Sequence, residues 1–102
     1  MSEWLRIAAV DEIPEGTGKE FVVAGQIVAV YHVADGFRAL DGICPHAGGP
    51  LAEGQLSGTV VTCPWHGRQF DVTTGRDCLI PRQSQPCFAV KVDGNDIWIE
   101  IP

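Results

Sequence analysis

In the stretch FAVKVDGNDIWIEI (residues 88–101), Phe88, Val90 and Val92 alternate with Ala89, Lys91 and Asp93. After Gly94-Asn95, the isoleucines Ile97, Ile99 and Ile101 alternate with Trp98 and Glu100. A side-chain period of two puts alternate residues on opposite faces of an extended strand, and Gly-Asn suits the positive φ of a tight hairpin. This is the pattern of half-buried antiparallel sheet. It recurs upstream, where residues 27–33 (IVAVYHV) lead through Asp35-Gly36 into residues 37–40, a second hairpin. Residues 5–10, 20–24 and 59–62 are further strand candidates. No window repeats apolar residues at helical spacing, and 12 Gly with 7 Pro punctuate the chain too often for long helices. The expected class is all-β.

The 102 residues, 45% of them apolar, suffice for one domain with one modest core. Apolar residues spread along the whole length disfavour disorder. No apolar run approaches the roughly 18 residues of a membrane span. The opening MSEWLRIAAVDE lacks the basic start and apolar core of a secretory signal, so a soluble, cytoplasmic protein is expected. Seven basic against 13 acidic residues give a formal charge of −6. That leaves no basic footprint for nucleic acid and would repel an anionic membrane. The charge suits brief docking on basic partners, or serves only to keep a small domain in solution.

Four cysteines occur, Cys44, Cys63, Cys78 and Cys87. Two segments break the alternating pattern, Cys44-Pro45-His46-Ala47-Gly48-Gly49-Pro50 and Cys63-Pro64-Trp65-His66-Gly67-Arg68. Both are rich in Gly and Pro and read as loops at hairpin ends on a rigid scaffold. Each pairs one Cys with one His, and 16 residues separate His46 from Cys63, giving C-x-H-x16-C-x-x-H. Two thiolates and two imidazoles suit either a tetrahedral zinc or a two-iron, two-sulfide cluster. Zinc sites usually group Cys with Cys and His with His, two to four residues apart. One intervening residue within a mixed pair instead suits loops that straddle a binuclear centre.

Cys44-Pro45-His46-x-x-Gly49-Pro50-Leu51 and Cys63-Pro64-Trp65-His66-Gly67-x-x-Phe70-Asp71-x-x-Thr74-Gly75 resemble the two cluster-binding boxes of Rieske-type iron–sulfur proteins. The resemblance covers nearly the whole chain, residues 1–102, with cluster loops at about 43–50 and 63–70. It is similar in particular to the ferredoxins of aromatic-ring dioxygenase systems; the nitrite reductase small subunit is a near relative. The resemblance implies stacked antiparallel sheets with a small cluster-binding subdomain. It implies one [2Fe-2S] cluster, with Cys44 and Cys63 on the inner iron and His46 and His66 on the outer. Two ferric ions, two sulfides, two thiolates and neutral imidazoles sum to no net charge, whereas four thiolates leave a dianion. The neutral centre accepts an electron more readily.

The implied role is electron transfer from an NAD(P)H-dependent flavin reductase to a terminal oxygenase. The alternatives are a nitrite reductase small subunit and a zinc-stabilised interaction module. No nucleotide loop, Ser/His/Asp set or mononuclear-metal cluster is present, so the chain reads as a carrier and not an enzyme. In quinol-oxidising Rieske proteins a disulfide links the loops, and a serine and a tyrosine donate hydrogen bonds to sulfur. The matching positions here are Gly49 and Trp65 for the disulfide, and Arg68 and Phe70 for the hydroxyls. Their loss implies a potential near the bottom of the Rieske range, about −150 mV.

Trp65, between two ligands, fits a shield or docking face, or else local packing. Trp4 and Trp98 on strands read as structural. His32 reads as a strand-face histidine. Cys78 and Cys87 are expected to be small buried thiols, with a mutual disulfide as the alternative. Residues 81–86 (PRQSQP) read as a loop covering the cluster.

Overall fold

A computed structural model describes residues 3–43, 50–65, 67–79 and 84–101. The described chain forms ten strands: β1 (Glu3–Ala9), β2 (Gly18–Val23), β3 (Gln26–Val33), β4 (Gly36–Asp41), β5 (Gln55–Ser57), β6 (Val60–Thr62), β7 (Gln69–Asp71), β8 (Cys87–Phe88), β9 (Val90–Asp93) and β10 (Asp96–Ile101). Single 3-10 turns cover Val10–Glu12 and Leu51–Glu53. The strands make three antiparallel sheets, ordered β1-β10-β9, β2-β3-β4-β8 and β5-β6-β7. Five of the expected strands are found with ends shifted by one or two residues, as strand 5–10 is by ending at Ala9. The stretch from Phe88 onward is divided between β8 and β9 at Ala89.

β3 explains how three sheets become one body. Its sequence is apolar almost without a break because both of its faces are covered. Val28 and Val30, with Ala39 of β4, pack against Ile97, Ile99 and Ile101 of β10. Ala29, Tyr31 and Val33, with Leu40 of β4, pack against Leu51, Val61, Cys63, Phe70 and Val72. The central sheet therefore separates two cores. One joins it to the terminal sheet, and the other to the small sheet β5-β6-β7 that carries the second loop.

Two turns differ from expectation. The β3–β4 hairpin closes at the pair Val33–Gly36, so its loop is Ala34-Asp35 and Gly36 opens β4 with φ +134°. The glycine supplies a backbone angle there that a side chain rarely adopts. Ala24 and Gly25 form the β2–β3 loop, both at positive φ, so Ala24 does not extend the strand. The turn Gly94-Asn95 closes at Asp93–Asp96 as expected.

Candidate metal centre

The first loop springs from a pinched base. Ile43 and Pro50 form an isolated bridge, and the Leu51 N–H donates to the Gly42 carbonyl at 2.9 Å. The Ile43 N–H donates to the Asp41 carboxylate at 3.1 Å. Cys44 and His46 lie between these anchors and outside the described residues, as do His66 of the second loop and Gly49.

The second loop leaves the end of β6 at Cys63 and rejoins the sheet at β7. The Cys63 N–H donates to the Arg68 carbonyl at 2.7 Å, and the Gly67 N–H to the Cys63 carbonyl at 3.0 Å. Gly67 sits at φ +73°, which lets the chain reverse this tightly. Cys63 is 1% exposed and is not in a disulfide. Two residues on, Trp65 is 59% exposed. Leu51, at the return of the first loop, shares the Cys63 core cluster, so the packing brings the two loop bases together. Among the described residues no group of three His, Cys, Asp or Glu gathers, since three of the four expected ligands lie outside them.

The surroundings of Cys63 fit a sulfur-rich group. The Tyr31 hydroxyl lies in the same core, is fully buried, and has no hydrogen-bond partner among the described residues. Burial raises the Tyr31 pKa above the ordinary phenol value, and the charge of Cys63 raises it further. Buried polar atoms normally have partners. A buried Cys63 sulfur in the same core as a phenolic donor that has no acceptor among the described residues suits a cluster of iron and sulfide.

Two further residues brace the loops. Arg68 binds the buried Asp77 carboxylate through Nε at 2.9 Å and Nη2 at 2.5 Å, and the same carboxylate caps the Leu79 N–H at 2.8 Å. Gln85, also buried, donates from Nε2 to the Asp41 carbonyl at 2.9 Å and the Ile43 carbonyl at 2.5 Å. Gly75 lets this segment approach, because a Cβ there would strike the Gln85 carbonyl and the Cys87 sulfur. Gln85→Leu keeps the volume but strips two carbonyls of their donor. It is expected to lower stability by about 2 kcal/mol and to speed cluster release. Urea unfolding and the decay of visible colour check this; unchanged values in both would contradict the brace.

His32 is a satisfied strand residue, as expected: its Nδ1–H donates to the Ile13 carbonyl at 2.8 Å and its ring stacks on Phe37 at 4.1 Å. Trp4 and Trp98 are half-buried, with the Lys91 ammonium 4.5 and 5.9 Å from their ring centroids. Trp65 is largely exposed, which suits the docking face better than local packing. Cys78 and Cys87 depart from expectation, being exposed and not joined in a disulfide. Cys87 sits on the two-residue edge strand β8, where one face stays uncovered. Its thiol is nevertheless tucked toward the Gln85 carbonyl at 3.7 Å, and burial raises its pKa. Of the expected covering loop, residues 81–83 lie outside the described residues, while Gln85 contacts the first loop's base. Sequence reasoning did not assign roles to Tyr31 or Asp77, and placed Gln85 only within the covering loop. For Tyr31 the available signal was a lone phenol inside a strand apolar on both faces.

The model of the Rieske [2Fe-2S] domain family matches residues 3–93. The ferredoxin component of a naphthalene 1,2-dioxygenase system from Pseudomonas aeruginosa is 34% identical over 100 residues, covering 97% of this chain and 96% of that protein. The solved complex of reduced oxygenase and oxidized ferredoxin in carbazole 1,9a-dioxygenase contains a similar chain, 34% identical with a TM-score of 0.83, covering 94% and 91%. A structure described as an NADH-dependent nitrite reductase small subunit from Mycobacterium tuberculosis superposes with a TM-score of 0.90 over 100% and 97%, at 22% identity, and so shares the fold. These matches decide between zinc and iron in favour of iron. The chain belongs to the Rieske [2Fe-2S] domain family, and its prosthetic group is a two-iron, two-sulfide cluster.

Proposed function

We propose that this protein is the ferredoxin of an aromatic-ring oxygenase system, a cytoplasmic carrier that takes one electron from an NAD(P)H-dependent flavin reductase and passes it to a terminal oxygenase. Its similarity along nearly its whole length to ferredoxin components, one of them solved with its oxygenase, supports the role of carrier over that of catalyst. In this reading the whole of residues 1–102 serves one domain, and Cys44, His46, Cys63 and His66, in loops 43–50 and 63–70, hold the cluster. When bound, the cluster supplies reversible one-electron storage.

The observation that carries the reading is the course of the second loop. Cys63 is sealed in the core while Trp65, two positions along, stands in solvent. A centre anchored on Cys63 is then shielded from water on one side and separated from a docked partner by one short loop on the other. Trp65 offers that partner a flat apolar face. No described helix is long and apolar enough to cross a membrane.

The purified protein is expected to be brown, with iron and acid-labile sulfide in equal amounts. A flavin reductase with NADH should reduce it, and an aromatic-ring oxygenase should reoxidise it, one electron per cluster. Zinc without sulfide would end the iron–sulfur reading. Turnover with a nitrite reductase large subunit in place of the oxygenase would reassign the partner. Docking should slow as salt rises, because the net charge of −6 is screened within about 8 to 10 Å near physiological ionic strength. A rate indifferent to salt would mean an apolar contact governs encounter.

A further inference from the structure

We propose that the Tyr31 hydroxyl donates a hydrogen bond to a sulfur of the cluster on its Cys63 side, raising the reduction potential. The inference rests on the iron–sulfur reading above and extends it to a residue outside both loops. Tyr31 lies in β3, and its side chain shares a face with Ala29 and Val33, the face packed against Leu51, Cys63 and Phe70. The residue is 0% exposed and its Oη has no hydrogen-bond partner among the described residues. A phenylalanine would fill the same core without burying a polar atom, so the hydroxyl points to an acceptor that the described residues do not supply.

The ring lies directly against the backbone of β2. Gly18 faces Tyr31 in the β2–β3 ladder, and a Cβ on Gly18 would lie 2.5 Å from Cδ1 and 2.6 Å from Cε1 of the ring. The glycine opens the space in which the ring rests. A phenolic O–H supplies one hydrogen-bond donor to such an acceptor. Phe70, the second aromatic of this core, has no hydroxyl to compete for the role.

A cluster sulfur carries more negative charge after reduction than before. A donor aimed at it therefore binds the reduced state more strongly, and the equilibrium shifts toward reduction. No proton moves in this scheme. The bond strengthens when the electron arrives and relaxes when it leaves.

Tyr31→Phe in the cluster-loaded protein is expected to lower the equilibrium constant for one-electron reduction about tenfold, a shift of about 59 mV to more negative potential by voltammetry. Tyr31 is the only tyrosine of the chain, so growth on 3-fluorotyrosine labels it alone without disturbing the packing. The more acidic phenol should move the potential in the opposite, positive direction. Opposite shifts in the two proteins support the bond. A potential unchanged in both would overturn it and leave Tyr31 a packing residue. If Tyr31→Phe fails to load, the fluorinated protein decides alone, because its fold is intact. A wild-type protein without iron and sulfide would instead refute the cluster reading, a separate outcome.

Discussion

Cys63→Ala is expected to give a colourless protein lacking both iron and sulfide. The thiol is buried at the base of a loop held by two backbone hydrogen bonds, at 2.7 and 3.0 Å, so no neighbouring backbone can swing in to replace it. Losing one ligand opens an iron to water and to dissociation, and loop order coupled to the bound centre goes with it. The remaining sheet should survive. The core formed by Val28, Val30, Ala39, Ile97 and Ile99 lies on the opposite face of β3 from Cys63 and does not depend on it. Far-ultraviolet circular dichroism should therefore remain strand-like while the visible spectrum vanishes. Cys78→Ser and Cys87→Ser supply the contrast. Both cysteines are exposed and outside any disulfide, so each variant should keep its colour. A brown Cys63→Ala protein, or colour lost equally in all three variants, would remove Cys63 from the ligand set.

Asp77→Ala is expected to cost about 3 kcal/mol of stability, the low end for breaking a buried ion pair. The carboxylate is 2% exposed and accepts from Arg68 twice and from the Leu79 N–H once, which ties loop 63–70 to the turn after Gly75. The low end applies because the Arg68 side chain retains 19% exposure and its guanidinium can recover some hydration. Removing both charges together, in Arg68→Met with Asp77→Leu, should cost less than Asp77→Ala alone, since the guanidinium is then removed along with its carboxylate. Urea midpoints of the three proteins provide the measurement. If the double variant is the least stable, the pair acts through something other than charge compensation.

The all-β class and the hairpins were legible because they are local. Alternation in residues 88–101 and turn residues at Gly94-Asn95 act over a few bonds, and the C-x-H and C-x-x-H spacings identify donor chemistry without any long-range information. Even there, hairpin register escaped by one residue at Gly36, because which pair closes a turn depends on the whole ladder. The exposure of Cys78 and Cys87 was misread for a related reason. Small thiols are usually buried, yet Cys87 lies on an edge strand and Cys78 in a bend beyond the strands, and edges exist only once strands are ordered. Three assignments belonged to tertiary structure entirely. Gln85 reaches the Asp41 carbonyl across 44 positions of chain, Arg68 closes on a carboxylate nine residues away, and Tyr31 meets the Cys63 core through the stacking of two sheets. Side-chain type and spacing narrowed the bound group to zinc or an iron–sulfur cluster, and the match to the Rieske family decided for the cluster. Which buried groups surround the metal's cysteine was decided by packing, because contacts between distant segments arise from the arrangement of sheets and leave no periodic trace in the sequence.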